Sequence, residues 1–267
     1  LQAEGKGGTM KKFWIAVELV IMTNLFCAMA QADIREAQKL YNEKKYAEAA
    51  DAFQKALPEL EGEKASYARY MLGRCLERQK KYEEALVEYR QALPGLKGIN
   101  AGWTQWQIGA CLDALKKYDE AIAEYRKVAE IPGALPRTLA NARNYAGKIL
   151  SAQKKYEEAL AEYSFAAGIK GADPAQLSTA QYMAGNMLHQ MKKYDEAIAE
   201  YRKVASIPNA NPRNIADACY ETGIILELQG KKEKALAEYQ KVVSLEGGST
   251  RRIEAAKKKV ETLSGQK

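Results

Sequence analysis

Histidine is almost missing from this sequence: there is one in 267 residues, beside four cysteines and seven prolines. A histidine-based triad needs its base within reach of a nucleophile, and a His/Cys metal site needs several ligands at short spacing. Neither can be assembled. No CxxC occurs, and His189 has no Ser or Cys nucleophile motif around it. Carboxylate pairs for acid–base work cannot be singled out either, because the glutamates recur periodically and read as solvated faces. These absences argue against an enzyme, a metal site or a cofactor. Runs of β-branched residues are also few, whereas lysine and alanine are abundant, which points to helix. With 28% charged and 47% hydrophobic residues, wholesale disorder is excluded. The length suits one large domain or two small ones.

The formal charge is +7, from 41 Lys and Arg against 34 Asp and Glu. Such an excess invites a nucleic-acid partner, but its placement speaks against one. Lys-Lys pairs are followed at once by acids: Glu48, Glu83-Glu84, Asp119-Glu120, Glu157-Glu158 and Asp195-Glu196. Lysine at the end of one helix and carboxylates at the start of the next both suit the helix dipoles, so the basic stripe is neutralised locally.

The chain opens unusually. Met10-Lys11-Lys12 and an apolar run through Phe26-Cys27 end in Ala28-Met29-Ala30, the pattern of a secretory signal cut after Ala30. Residues 10–30 are therefore expected to be a signal peptide and the protein periplasmic or secreted. Glu18 interrupts the run and keeps an uncleaved N-terminal anchor as the alternative. Cys27 lacks the small residues upstream that lipoprotein processing requires. Lys6-Gly7-Gly8 can be encoded by a ribosome-binding sequence just before the Met10 codon, so residues 1–9 read as translated leader.

The rest is repetitive. Lys45-Tyr46-Ala47-Glu48-Ala49 recurs as Lys81-Tyr82-Glu83-Glu84-Ala85 and again from Lys117, Lys155 and Lys193, with a decayed sixth copy from Lys231. The alanines Ala49, Ala85, Ala121, Ala159, Ala197 and Ala235 lie 36, 36, 38, 38 and 38 residues apart. Four residues after each stands an aromatic: Phe53, Tyr89, Tyr125, Tyr163, Tyr201, Tyr239. Twelve before each stands a small residue: Ala37, Gly73, Gly109, Gly147, Gly185, Gly223. Three after that comes Leu40, Leu76, Leu112, Leu150, Leu188 or Leu226. The 3/4 spacing puts each set on one helical face. The small residue admits a second helix, whose alanine and aromatic fill the gap. Each copy is a helical hairpin that cannot bury its apolar face alone.

These residues resemble the tetratricopeptide repeat. The resemblance implies an all-α protein, a right-handed α-solenoid of six hairpins over residues 31–249. It departs from the family where Arg69, Gln105, Arg143, Gln181 and Cys219 replace a tryptophan of the first helix. The spacing also exceeds the usual period of about 34 residues, which predicts longer loops or longer first helices. Residues 250–267 read as a polar-backed capping helix rather than a basic binding arm, with Ile253, Val260 and Leu263 on one face. Asp173-Pro174 and Asn211-Pro212 are expected N-caps, and Gly168, Gly171, Gly247 and Gly248 breaks. Cys75 and Cys111 hold the same slot in adjacent copies, roughly 10 Å apart, too far for a disulfide. They are expected to be packing thiols.

The resemblance further implies that first helices line a concave groove. Its positions fall on Tyr67, Tyr70, Arg74 and Glu77, then Trp103, Trp106 and Asp113, then Asn141, Asn144 and Lys148. Tyr182, Asn186 and His189 follow, then Asp217 and Tyr220. Aromatics and arginine dominate hot spots, and amides can satisfy the backbone of an extended ligand. The family's carboxylate clamp is not supported: Asn144 and Lys148 stand in swapped order, and the next copies do not complete it. The expected function is a protein-interaction scaffold in the bacterial envelope, binding a partner's peptide segment or helix. Binding of a glycan or cell-wall fragment on the same aromatics, or a passive spacer role, are the alternatives. Packing of these aromatics against neighbouring copies is the competing structural role.

Overall fold

A computed structural model describes residues 33–265. The leader and signal expectations fall on residues 1–30, outside the described residues. Those described form thirteen α-helices and no strand. Helix α1 spans 33–42, followed by α2 (Tyr46–Ala56), α3 (Gly62–Arg78), α4 (Tyr82–Ala92) and α5 (Gly98–Ala114). Then come α6 (Tyr118–Lys127), α7 (Pro136–Ala152), α8 (Tyr156–Ala167), α9 (Pro174–Gln190) and α10 (Tyr194–Ser206). The last three are α11 (Pro212–Leu228), α12 (Lys232–Ser244) and α13 (Thr250–Ser264). The chain divides into two compact units, one ending at Lys117 and one beginning at Tyr118.

The repeat positions form the core of both units. All six recurrent alanines and all six recurrent aromatics are buried. Of the leucines only Leu40, on the first described helix, is half-buried rather than buried. Burying an aromatic of this size contributes about 2–3 kcal/mol, so the six are a large part of the stabilisation. The small residue has the expected use. A Cβ on Gly73 would stand 2.8 Å from the Tyr89 ring, on Gly147 2.9 Å from Tyr163, on Gly185 2.6 Å from Tyr201 and on Gly223 2.5 Å from Tyr239. No side chain larger than hydrogen fits these crossings as they stand.

The enlarged period has one source. In each hairpin from α3 onward the first helix is 17 residues long. The second helix begins 20 residues after the first in every one of these. The variation therefore lies beyond the start of the second helix, in that helix and the connector after it. The connectors Leu57–Glu59 and Leu93–Gly95 are 3-10 turns that lead almost directly into the next helix. The connectors before α7 (128–135) and α9 (168–173) run longer, through Pro132-Gly133 and Gly171, whereas before α11 the second helix α10 is itself longer, at 13 residues.

The tight turn inside each hairpin has a residue in the left-handed region: Lys44, Lys80, Lys116, Lys154 and Lys192, with φ of 60 to 64°, and Gly230 at 72°. The next residue's N–H reaches back to the first helix, as in Lys155 N to Leu150 O at 2.9 Å, closing a Schellman end. The first lysine of each pair thus occupies a position that favours glycine by about 1 kcal/mol. Of the two expected caps, Asn211 Oδ1 accepts from Arg213 N at 3.0 Å. Asp173 sits at the N-cap but makes no side-chain cap bond, a correction to the sequence reading. Its extended backbone and Pro174 start α9 without it.

Candidate interaction surface

In the unit ending at Lys117, Arg74 lies between two rings, 4.8 Å from the centroid of Tyr41 and 5.6 Å from Tyr70. Tyr70 is buried against Tyr89, with centroids 6.1 Å apart, so it belongs to the core. Tyr67 points elsewhere, into a groove between α1 and α3 with Ile34, Arg35, Gln38, Glu63 and Lys64. Trp103 and Trp106 meet edge to face at 5.7 Å and 85°, and both stay half-buried. Cys75 and Cys111 are buried free thiols whose pKa burial pushes up to about 12, which makes them inert packing groups.

In the unit beginning at Tyr118, Asn141, Asn144, Tyr145 and Lys148 of α7 share one groove with Gln176, Thr179 and Met183 of α9. Tyr182 and Asn186 are drawn into packing instead. Tyr182 lies 5.8 Å from the Tyr201 ring, and the Tyr201 hydroxyl donates to Asn186 Oδ1 at 2.6 Å. Tyr220 is covered by the chain itself: the Arg252 guanidinium of α13 stands 4.7 Å over its ring. The eleven expected contact residues therefore divide. Tyr67, the two tryptophans, Asn141, Asn144 and Lys148 keep open surface or line a groove. Tyr70, Arg74, Tyr182, Asn186 and Tyr220 are engaged within the fold.

Two kinds of bridge join successive first helices, and sequence reasoning missed both. One is made by the third residue of a first helix reaching back onto the helix before. Gln176 Nε2 donates to Asn141 Oδ1 at 2.6 Å, and Asn214 Nδ2 donates to Ser178 Oγ at 3.0 Å and Thr179 Oγ1 at 2.9 Å. Arg252 donates to Asp217 at 2.5 Å and Glu221 at 2.9 Å. The other joins the residue two before each small residue to the one four after it on the preceding helix. Gln107 donates to Glu77, His189 faces Glu221 at 3.9 Å, and Lys259 donates to Glu227 at 2.8 Å. Glu77, His189 and Asp217, expected to face a ligand, therefore face the next helix. Glu77 also accepts the buried Tyr89 hydroxyl at 2.8 Å, and Glu227 accepts that of Tyr239. The signal was in the sequence as a polar third residue in each first helix: Lys64, Asn100, Thr138, Gln176, Asn214, Arg252.

The residues that replace tryptophan have a partner of their own. Arg69, Arg143 and Gln181 each face the glutamate just before the buried aromatic of their second helix. Arg69 pairs with Glu88 at 3.0 Å, Arg143 with Glu162 at 2.9 Å, and Gln181 donates to Glu200. Glu162, nearly buried, also receives Arg126 at 2.6 Å from the preceding second helix. Cys219, in the same slot, has its thiol raised to about 11 by burial and by Glu238.

With hairpins, aromatic–glycine crossings and bridges in view, the relationship to known proteins can be read. Tetratricopeptide repeat models match residues 28–98 and, separately, residues 104–134, 178–211 and 216–248, together more than half of the sequence. The chain belongs to the tetratricopeptide repeat family. No curated protein matches it closely enough to lend a specific activity. Among solved structures it is similar to YrrB, a TPR protein with an unusual peptide-binding site, at 22% identity and TM-score 0.54, over 78% of this chain and 99% of that one. It is similar to the C-terminal part of a TPR repeat-containing protein of Cytophaga hutchinsonii at 16% identity and TM-score 0.63, over 88% and 96%. Pseudomonas aeruginosa pilF matches at 16% identity and TM-score 0.54, over 89% and 97%. At such identities the likeness concerns the fold. Tetratricopeptide repeats are scaffolds for protein–protein interaction, typically without catalytic activity. Among the described residues no group of three His, Cys, Asp or Glu is placed to hold a metal. None of the described helices is long and apolar enough to cross a membrane.

Proposed function

We propose that this tetratricopeptide protein is an exported scaffold of a bacterial envelope, holding an extended segment or a helix of a partner protein against its first helices. Trp103 and Trp106 are the anchors. The observation that carries this reading is the edge-to-face indole pair, which stays half-buried after every neighbouring helix of its unit has packed. Paired indoles on one helix face are an expensive surface to leave in water, and rigid aromatics of this kind are the usual hot spots of interfaces. YrrB, similar in fold, is described as having a peptide-binding site, which agrees with this use of the repeat. Export rests on the basic start, apolar run and Ala28-Met29-Ala30 cleavage pattern.

The test is a photo-crosslinking residue at position 106 in living cells, with exposed Lys154 as the control position. A discrete adduct from position 106 alone, identified by mass spectrometry, is the expected result. Equal labelling at both positions, or none in a folded and processed protein, overturns the anchor. Mass spectrometry of the same material is expected to find a mature chain starting at Gln31.

A further inference from the structure

We infer that this protein associates with itself head to tail, the exposed Leu228 of one copy seating in a slot between α2 and α4 of another. The inference does not use the tryptophan pair, so it and the scaffold reading can fail separately.

Just after the recurrent alanine, five of the six repeats hold a branched aliphatic residue: Leu86, Ile122, Leu160, Ile198 and Leu236. The first repeat holds Ala50. Where the aliphatic residue is present, it covers the next hairpin. Leu160 of α8 packs against the cluster that contains Leu188 and Ile198, the counterparts of Leu76 and Leu86. With Ala50 in that place, a groove of about 390 Å³ opens between α2 and α4, floored by Ala50, Leu72 and Leu76. Two further departures from the repeat border it. The next position is alanine in the four later repeats, but Asp51 in the first and Val87 in the second. Both line the groove, and Val87 is 51% exposed.

The converse departures lie in the sixth repeat. Leu228 ends α11 and is 65% exposed, where the equivalent residues of the other 17-residue first helices are Arg78, Ala114, Ala152 and Gln190. The turn beside it carries unbalanced lysine. Lys231, Lys232 and Lys234 surround a single acid, Glu233, whereas Lys192-Lys193 of the fifth repeat are answered by Asp195-Glu196. All three lysines are exposed.

The two surfaces match in kind. One lacks an aliphatic side chain and has gained an acid; the other shows a spare leucine and has gained lysine. On the slot's rim Asp51 and Glu84 are exposed beside Lys81, while Glu88 is already held by Arg69 at 3.0 Å. A leucine entering the slot sheds water from itself and from the apolar walls. Lysines brought against Asp51 and Glu84 steer the approach and fix its orientation. Because the surfaces differ, each pair of copies keeps one free slot and one free leucine, so association does not end at two.

The test is sedimentation velocity on the full-length protein as the cell processes it, from about 1 to about 200 µM. The expected result is a set of species beyond the monomer that grows with concentration and shrinks with added salt. Leu228→Ser, and Ala50→Leu, which installs the kind of residue the other repeats carry, are each expected to weaken association at least ~10-fold. Mixed together, the two variants should form a one-to-one dimer and stop there. The first keeps only its slot and the second only its leucine. Asp51→Asn should weaken association by about 3-fold and flatten its salt dependence.

A wild-type monomer at about 200 µM overturns the proposal, whether the slot then stays open or something else fills it. So does association that Leu228→Ser leaves unchanged, or a mixture that pairs no better than either variant alone. Leu228→Ser alters an exposed side chain, so that arm does not depend on a repacked core. A monomer that still gives a discrete adduct at position 106 removes self-association and leaves the scaffold reading in place.

Discussion

The α7–α9 and α11–α13 pairs occupy equivalent places in the repeat, yet the polar bridge between them is built from opposite materials. At α11–α13 it is ionic: Arg252 is paired with Asp217 and Glu221, Lys259 with Glu227, and the Tyr220 ring lies under the guanidinium. At α7–α9 it is neutral, Gln176 against Asn141 and Asn144, and two acceptors remain. Charge pairs satisfy one another and shut the face, which suits a helix that ends the repeats and must cover the last apolar surface. Amides satisfy one another only in part. The hairpins beneath are built alike, so the difference lies in a few surface positions.

The largest effect is expected to be the one the two regions share. Tyr163→Ala and Tyr239→Ala each remove a buried ring seated on a glycine, and each should cost about 3–5 kcal/mol of stability. Urea unfolding followed by circular dichroism checks this. A much smaller loss at one of them would mean that the two hairpins are not built alike. The bridge itself should separate the regions. Arg252→Leu leaves Asp217 and Glu221 partly buried without their cation and should destabilise by about 2 kcal/mol. Gln176→Leu exchanges one neutral hydrogen-bonding group for apolar surface and should change stability by less than about 1 kcal/mol. Amide hydrogen exchange along α13 and α9 reads the two locally.

Smaller still is the turn. Lys154 at φ 61° closes α7–α8 where Gly230 at 72° closes α11–α12. Lys154→Gly should therefore stabilise, and Gly230→Lys destabilise, by about 1 kcal/mol each, read as opposite shifts in urea midpoint. The smallest effect is that of acid. Burial raises the Glu227 carboxyl, but the hydrogen bonds from Lys259 and Tyr239 outweigh it and hold the group below its ordinary value. A carboxyl depressed in the folded state stabilises fully above its unfolded pKa of about 4.3, and that contribution is lost as pH falls through the folded value. Protection of α13 should thus weaken below about pH 4, and Lys259→Met should remove this part of the pH dependence.

How much could be read in advance depended on what the periodicity carries. Gly, Ala and aromatic recur because every hairpin must solve the same crossing, so Gly223 and Tyr239 could be paired from spacing alone. The turn lysines hid their left-handed backbone because lysine does not announce it. Gly230, in the sixth copy, was the one visible trace. The candidate surface was legible only by position. Tyr70 and Trp103 looked equivalent on a helical face, yet Tyr70 is buried against Tyr89 while Trp103, packed edge to face on Trp106, is half-buried. Tyr220 and Asp217 looked open because Arg252, which covers them, lies more than thirty residues further along the chain.

The sequence by itself determined the hairpins, their number and their core, because these rest on contacts within one repeat, and every copy states them again. Which polar residues face a ligand was decided only in the tertiary structure. A side chain on a first helix meets either water or the next repeat, and only the stacking of one repeat on another settles which.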